Sequence, residues 1–126
     1  LTLYKRIAGC KTGDQLRELQ VEMIDRFGLL PEPVKTLFKV TALRQQAEAL
    51  AITRVDANAA GGKLEFAERT PVDPLTVVKL MQNAPNRYRL EGAHTLRFQL
   101  PSETADERVQ LVEQLLEHLA GNGKAP

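Results

Sequence analysis

At 126 residues, with 43% hydrophobic and 26% charged side chains, the chain is about one domain long and too apolar to be intrinsically disordered. Its net charge of +1 excludes whole-molecule attraction to nucleic acid or to an anionic membrane, so any electrostatic function has to come from a local patch. The single cysteine, Cys10, excludes an intrachain disulfide, and no apolar run approaches the roughly 20 residues that span a bilayer. These features lead us to expect a cytoplasmic protein. The chain opens on Leu1-Thr2-Leu3-Tyr4, with neither Met nor a signal segment, as expected of one module of a longer protein.

In chain order, Leu3–Ala8 forms a short first helix with Tyr4, Ile7 and Ala8 on one side. Thr12-Gly13-Asp14-Gln15 reads as a capping box, with Thr12 accepting from Gln15 and Gln15 reaching back to Thr12. The helix it opens directs Leu16, Leu19, Met23 and Phe27 inward, with Leu30 beyond, and closes at Gly28. Pro31 and Pro33 mark the start of a third helix, which carries Leu37, Val40, Leu43, Ala47 and Leu50 inward. The period then falls to two. Ile52–Asp56 and Leu64–Phe66 are strands joined through Asn58–Gly62, where Gly61 and Gly62 are free to take positive φ.

Asp73-Pro74 caps a fourth helix that buries Val77 or Val78 with Met81 and stops before Pro85. A second hairpin follows, with Tyr88 and Leu90 alternating with Arg87, Arg89 and Glu91. After the turn at 91–94, Leu96, Phe98 and Leu100 alternate with Arg97 and Gln99. The last helix begins near Ser102 or Thr104, places Glu103, Asp106 and Glu107 where the macrodipole favours acids, and buries Val109, Val112, Leu116 and Leu119 up to Gly121. The order ααα-ββ-α-ββ-α predicts an α+β fold, an antiparallel sheet of two hairpins with helices on one side. Residues 1–121 are expected to form a single domain and 122–126 a disordered tail.

Catalytic chemistry finds little to work with. His94, His118 and Cys10 are far apart in sequence and fit no metal-binding or nucleophile spacing, and their ordinary reading is solvent-facing side chains. Gly61-Gly62-Lys63 is a hairpin tip rather than a phosphate loop. Two surfaces stand out instead. Arg54, Lys63, Arg87, Arg89 and Arg97 share the sheet face opposite the core, which offers a nucleic-acid contact. Single-strand binders, however, pair such a face with stacking aromatics, and Phe66, Tyr88 and Phe98 fall on the apolar side. The second surface is an acidic ridge. Asp14, Glu18 and Glu22 recur at four-residue steps and Asp25 extends them, while only Glu22–Arg26 is a favourable pair. A ridge that weakens its own helix suits a basic partner; the plainer reading is a solvated helix face.

Leu3-Tyr4-Lys5-Arg6-Ile7-Ala8, then Glu18-Leu19 and Glu22-Met23-Ile24-Asp25-Arg26-Phe27-Gly28 with Pro31, resemble the carboxy-terminal domain of bacterial transcription-repair coupling factors (Mfd). So do Val72-Asp73-Pro74, Tyr88-Arg89-Leu90-Glu91-Gly92 and Leu96-Arg97-Phe98, so the resemblance runs from Leu3 to Leu119. Gly9-Cys10 and the Gly-rich tail depart from it. The resemblance implies a non-catalytic domain without a cofactor of its own, ATP and Mg being bound by the motor domains of the parent. That parent is an ATP-dependent double-stranded DNA translocase that displaces stalled RNA polymerase and recruits nucleotide-excision repair through UvrA. The resemblance further implies that this domain docks on the UvrB-like amino-terminal module of the same chain and masks the UvrA-binding surface. The docking face would include Glu22, Asp25 and Arg26, with no direct nucleic-acid or membrane contact.

Overall fold

The computed structural model describes residues 2–126, and they group into two compact units, 2–45 and 46–126. The first holds α1 (Thr2–Gly9), α2 (Gly13–Phe27) and most of α3 (Glu32–Ala49). Its core is Ile7, Leu16, Leu19, Met23, Leu30 and Phe38, with Leu3, Cys10, Val34, Leu37 and Ala42 packed against it. The Thr12 hydroxyl accepts from Gln15 N at 3.1 Å, as the capping pattern predicts, but the Gln15 side chain accepts from Lys11 N, one residue before the cap. Thr104 and Glu107 repeat this at the last helix, where Glu107 accepts from Glu103 N. Both boxes therefore satisfy the amide preceding the cap.

Two inward assignments fail in this unit. Phe27 keeps the phase of Met23, but it is the last residue of α2, and after Gly28 it is Leu30 that enters the core. On α3 the buried residues are Phe38, Thr41 and Ala47, and Val40 is half-exposed. At about 100° per residue, Val40 lies on the far side of the helix from Phe38. Thr41 reads as polar, yet its hydroxyl donates to the Leu37 carbonyl at 2.8 Å, which lets it be buried.

The second unit is built on a four-stranded antiparallel sheet of order β1-β2-β4-β3, from β1 (Ile52–Ala57), β2 (Gly62–Phe66), β3 (Tyr88–Glu91) and β4 (Thr95–Phe98). Leu64, Leu96 and Leu90 line up in one cross-strand row, and Gly62, Phe98 and Tyr88 form the next row on the same face. Leu64, Leu96, Phe98 and Tyr88 are buried, whereas Leu90, on the edge strand, is not. Gly61 and Gly62 serve close approach: a Cβ on Gly62 would lie 1.9 Å from the Asp56 carbonyl oxygen, and one on Gly61 would lie 2.1 Å from that of Phe98.

Helix α4 (Pro74–Asn83) starts at the Asp73 cap and α5 (Ala105–Leu119) at Thr104. Of α4 the buried residue is Leu80; Val77 and Met81 are half-buried and Val78 faces solvent, against the expected Val77 or Val78 with Met81. Helix α5 buries Val112, Leu115, Leu116 and Leu119, so Leu115 joins the expected set and Val109 is only half-buried. These helices complete the core over the apolar face, leaving the charged face uncovered by them. The fold is α+β, two hairpins joined through β2 and β4 with helices to one side.

Candidate docking surface

The surface starts with the register of α1 and α2. Ile7 is buried against α2, which leaves Arg6 at the edge of the contact and within reach of Glu22. Two parallel bonds result, Nη1 to Oε2 at 2.5 Å and Nη2 to Oε1 at 3.0 Å. That fork is the geometry in which guanidinium and carboxylate match best. It raises the Arg6 pKa and lowers that of Glu22, the side-chain hydrogen bond being the largest cause in each. The sequence offered only Arg26, four residues along, as a partner; the true one stands sixteen residues away on another helix. Asp14, at the start of the ridge, pairs with Arg17 at 3.2 Å.

The structure brings the three predicted residues, Glu22, Asp25 and Arg26, within the last two turns of α2, but in different states. Glu22 is engaged by Arg6. Asp25 and Arg26 are exposed, and neither makes an ion pair of its own among the described residues. What the sequence reading missed is their apolar company. Ile24 is 43% exposed, Phe27 72% and Leu29 90%, all within six residues of chain that also carries Asp25 and Arg26. Two charges set among large exposed hydrophobic side chains make a surface of mixed chemistry, and this is what marks it as the candidate docking surface. The misplaced inward reading of Phe27 was the signal that could have found it.

The arginine-bearing sheet face is more nearly compensated. Arg97 grips Glu91 through Nε at 2.7 Å and Nη2 at 2.9 Å, and Arg89 approaches the same carboxylate at 3.5 Å. The Arg97 bond is the main cause that holds the Glu91 carboxyl below its ordinary range. Arg54 lies 2.8 Å from Asp56 and 3.9 Å from Glu65. Phe98 and Tyr88 are buried, so they offer no platform to a base. Among the described residues no group of three or more His, Cys, Asp or Glu stands together to hold a metal, and no helix is long and apolar enough to cross a membrane.

Residues 1–77 match the family model described as the TRCF domain. The chain belongs to the TRCF domain family. Relatives carry the match on through α5. The transcription-repair-coupling factor of Escherichia coli is 43% identical over 99% of this chain, and that of Haemophilus influenzae is 39% identical over 95%. The chain spans only 11% and 10% of those two proteins. A solved structure described as the C-terminal domain of transcription-repair coupling factor superposes with a TM-score of 0.75, covering 95% of this chain and 78% of that one at 21% identity, which supports the shared fold. The family segment includes α1, α2 and α3, and so the whole of the surface built above.

Proposed function

We propose that this chain is the carboxy-terminal regulatory domain of a transcription-repair coupling factor, and that it acts by docking in cis on the UvrB-like amino-terminal module, masking the surface that UvrA recognises. It is a non-catalytic module of a protein whose other parts hydrolyse ATP, translocate on DNA and displace RNA polymerase. The observation that carries the reading is the exposure of Ile24, Phe27 and Leu29 around Asp25 and Arg26. Leaving such side chains in water forfeits the stabilisation their burial brings, and relatives about nine times longer supply chain to cover them. Asp25 accepts from a basic group and Arg26 donates to an acidic one, while Glu22 presents a charge already balanced by Arg6.

The test is a titration of this chain against a separately produced UvrB-like module, followed by competition with UvrA. Saturable binding that UvrA displaces, weakened about tenfold or more by Asp25→Lys, is the expected result. Binding to the module that leaves UvrA association unaffected would remove the masking role. A gel shift with DNA at physiological salt, weakening as salt rises and lost on Arg54→Gln with Arg89→Gln, would favour a nucleic-acid contact through the sheet face instead.

A further inference from the structure

A cavity of about 630 Å³ opens in the second unit between α4, the end of α5 and residues 121–126. Helical spacing builds one wall: Thr76, Lys79, Leu80, Asn83 and Ala84 share one stripe of α4, and Arg87 follows just past its end. The tail builds the other. Tyr88 Oη donates to the Pro126 carbonyl at 2.8 Å, Gln114 Nε2 donates to that of Lys124 at 3.1 Å, and His118 Nδ1 lies 3.1 Å from that of Gly123. Gly121 and Gly123, both at positive φ, turn the chain back to make these bonds. The volume falls in the range of about 300–1,000 Å³ common to small-molecule sites.

The charge of the lining is one-sided. Lys79, Arg87 and Lys124 contribute three cations, no carboxylate side chain lines the cavity, and the one anion there in the 126-residue chain is the terminal carboxylate of Pro126. None of the three cations makes an ion pair among the described residues. Two helices end here, and their carbonyl ends would attract cations, but each terminus amounts to only about half an elementary charge. Several of the final carbonyls are also occupied: Leu80 O accepts from Ala84 N, Leu116 O from Ala120 N, Glu117 O from Asn122 N and His118 O from Gly121 N. Three full positive charges therefore exceed the one terminal carboxylate, and the helix ends oppose only part of the remainder. A guanidinium fork and two ammonium groups suit the oxygens of a phosphate chain.

The geometry points to a binding site for a di- or polyphosphate group, held by Lys79, Arg87 and Lys124 beneath the tail. This site is independent of the docking surface. The experiment titrates inorganic pyrophosphate, ADP and adenosine separately into the 126-residue chain and follows backbone amide shifts. Pyrophosphate and ADP are expected to move the signals of residues 76–88 and 118–126 saturably, and adenosine to leave them unmoved. ADP binding more tightly than pyrophosphate identifies a nucleotide as the carrier, and equal binding identifies the free polyanion. Lys79→Gln with Arg87→Gln should weaken either ligand at least about tenfold with an unchanged fold, whereas Arg89→Gln on the outer sheet face should not. Absence of saturable shifts, equal response to adenosine, or equal weakening by Arg89→Gln would each overturn the proposal.

Discussion

Arg6 and Glu22, sixteen residues apart on α1 and α2, form a two-pronged guanidinium–carboxylate pair at the edge of the first unit's core. Because the pair lowers the Glu22 pKa from its ordinary 4.5, its contribution is complete above that value and is lost as pH falls through the folded-state pKa. A carbon-detected titration should find the Glu22 carboxyl below its ordinary range, and Arg6→Gln should return it there. A midpoint that ignores Arg6→Gln would mean the pair does not persist in solution.

Phe27 and Leu29 should separate docking from folding. Each is exposed, so replacement by Ala should change the stability of the chain by no more than about 0.5 kcal/mol. Met23→Ala, one turn earlier on the same helix but buried, should cost about 2–5 kcal/mol. Chemical denaturation of the three variants reads this directly. A Phe27→Ala loss comparable to that of Met23→Ala would place Phe27 in the core.

Ala51, just beyond α3, holds φ at 55°, where a Cβ is disfavoured. Its amide donates to Glu48 O and its carbonyl accepts from Ala67 N, so the conformation is held by its bonds. Ala51→Gly should therefore stabilise the chain by about 0.5–1 kcal/mol, the relief of the left-handed strain less the entropy that glycine loses. Thermal melting checks it; a lower midpoint would count against strain at this residue.

Gly62 is the opposite case. A methyl group there would overlap the Asp56 carbonyl and press on Ala57 Cα, both backbone atoms, so the β1–β2 pairing has to open to admit it. Gly62→Ala should cost about 3 kcal/mol or abolish folding. Gly92→Ala, with open space around the added group but φ at 69°, should cost about 1 kcal/mol through strain alone. Equal losses at the two positions would refute the steric account.

Local rules made most of this fold legible. Period, caps and turn residues located nine elements, because those signals act over a few residues: Thr12 and Thr104 announce their helices by side-chain bonds three residues long. The misreadings came where neighbours distant in sequence decide. Val40 and Phe38 are both apolar and only the packing partner selects between them; Leu90 alternates correctly but stands on an edge strand with nothing beyond it. The candidate docking surface was half visible. Its acidic ridge was read from helical spacing and the choice of Glu22, Asp25 and Arg26 from the family resemblance, but the Arg6 partner of Glu22 and the exposure of Phe27 are tertiary facts.

The strand order β1-β2-β4-β3 also shapes how the second unit assembles. Each hairpin closes a short turn and can form within microseconds, but the β2–β4 seam must wait until about 30 residues, helix α4 included, bring Glu65 beside Thr95. Loop-closure entropy is thus concentrated at the junction where Glu65 meets Thr95, and Leu64 and Leu96, the next pair across it and fully buried, are the side chains that compensate for it. Truncating either should mainly slow refolding, whereas truncating Ile52, at the outer strand, should mainly speed unfolding. Stopped-flow denaturant kinetics would reveal the reverse pattern if the outer strands, and not the seam, set the pace at which this sheet comes together.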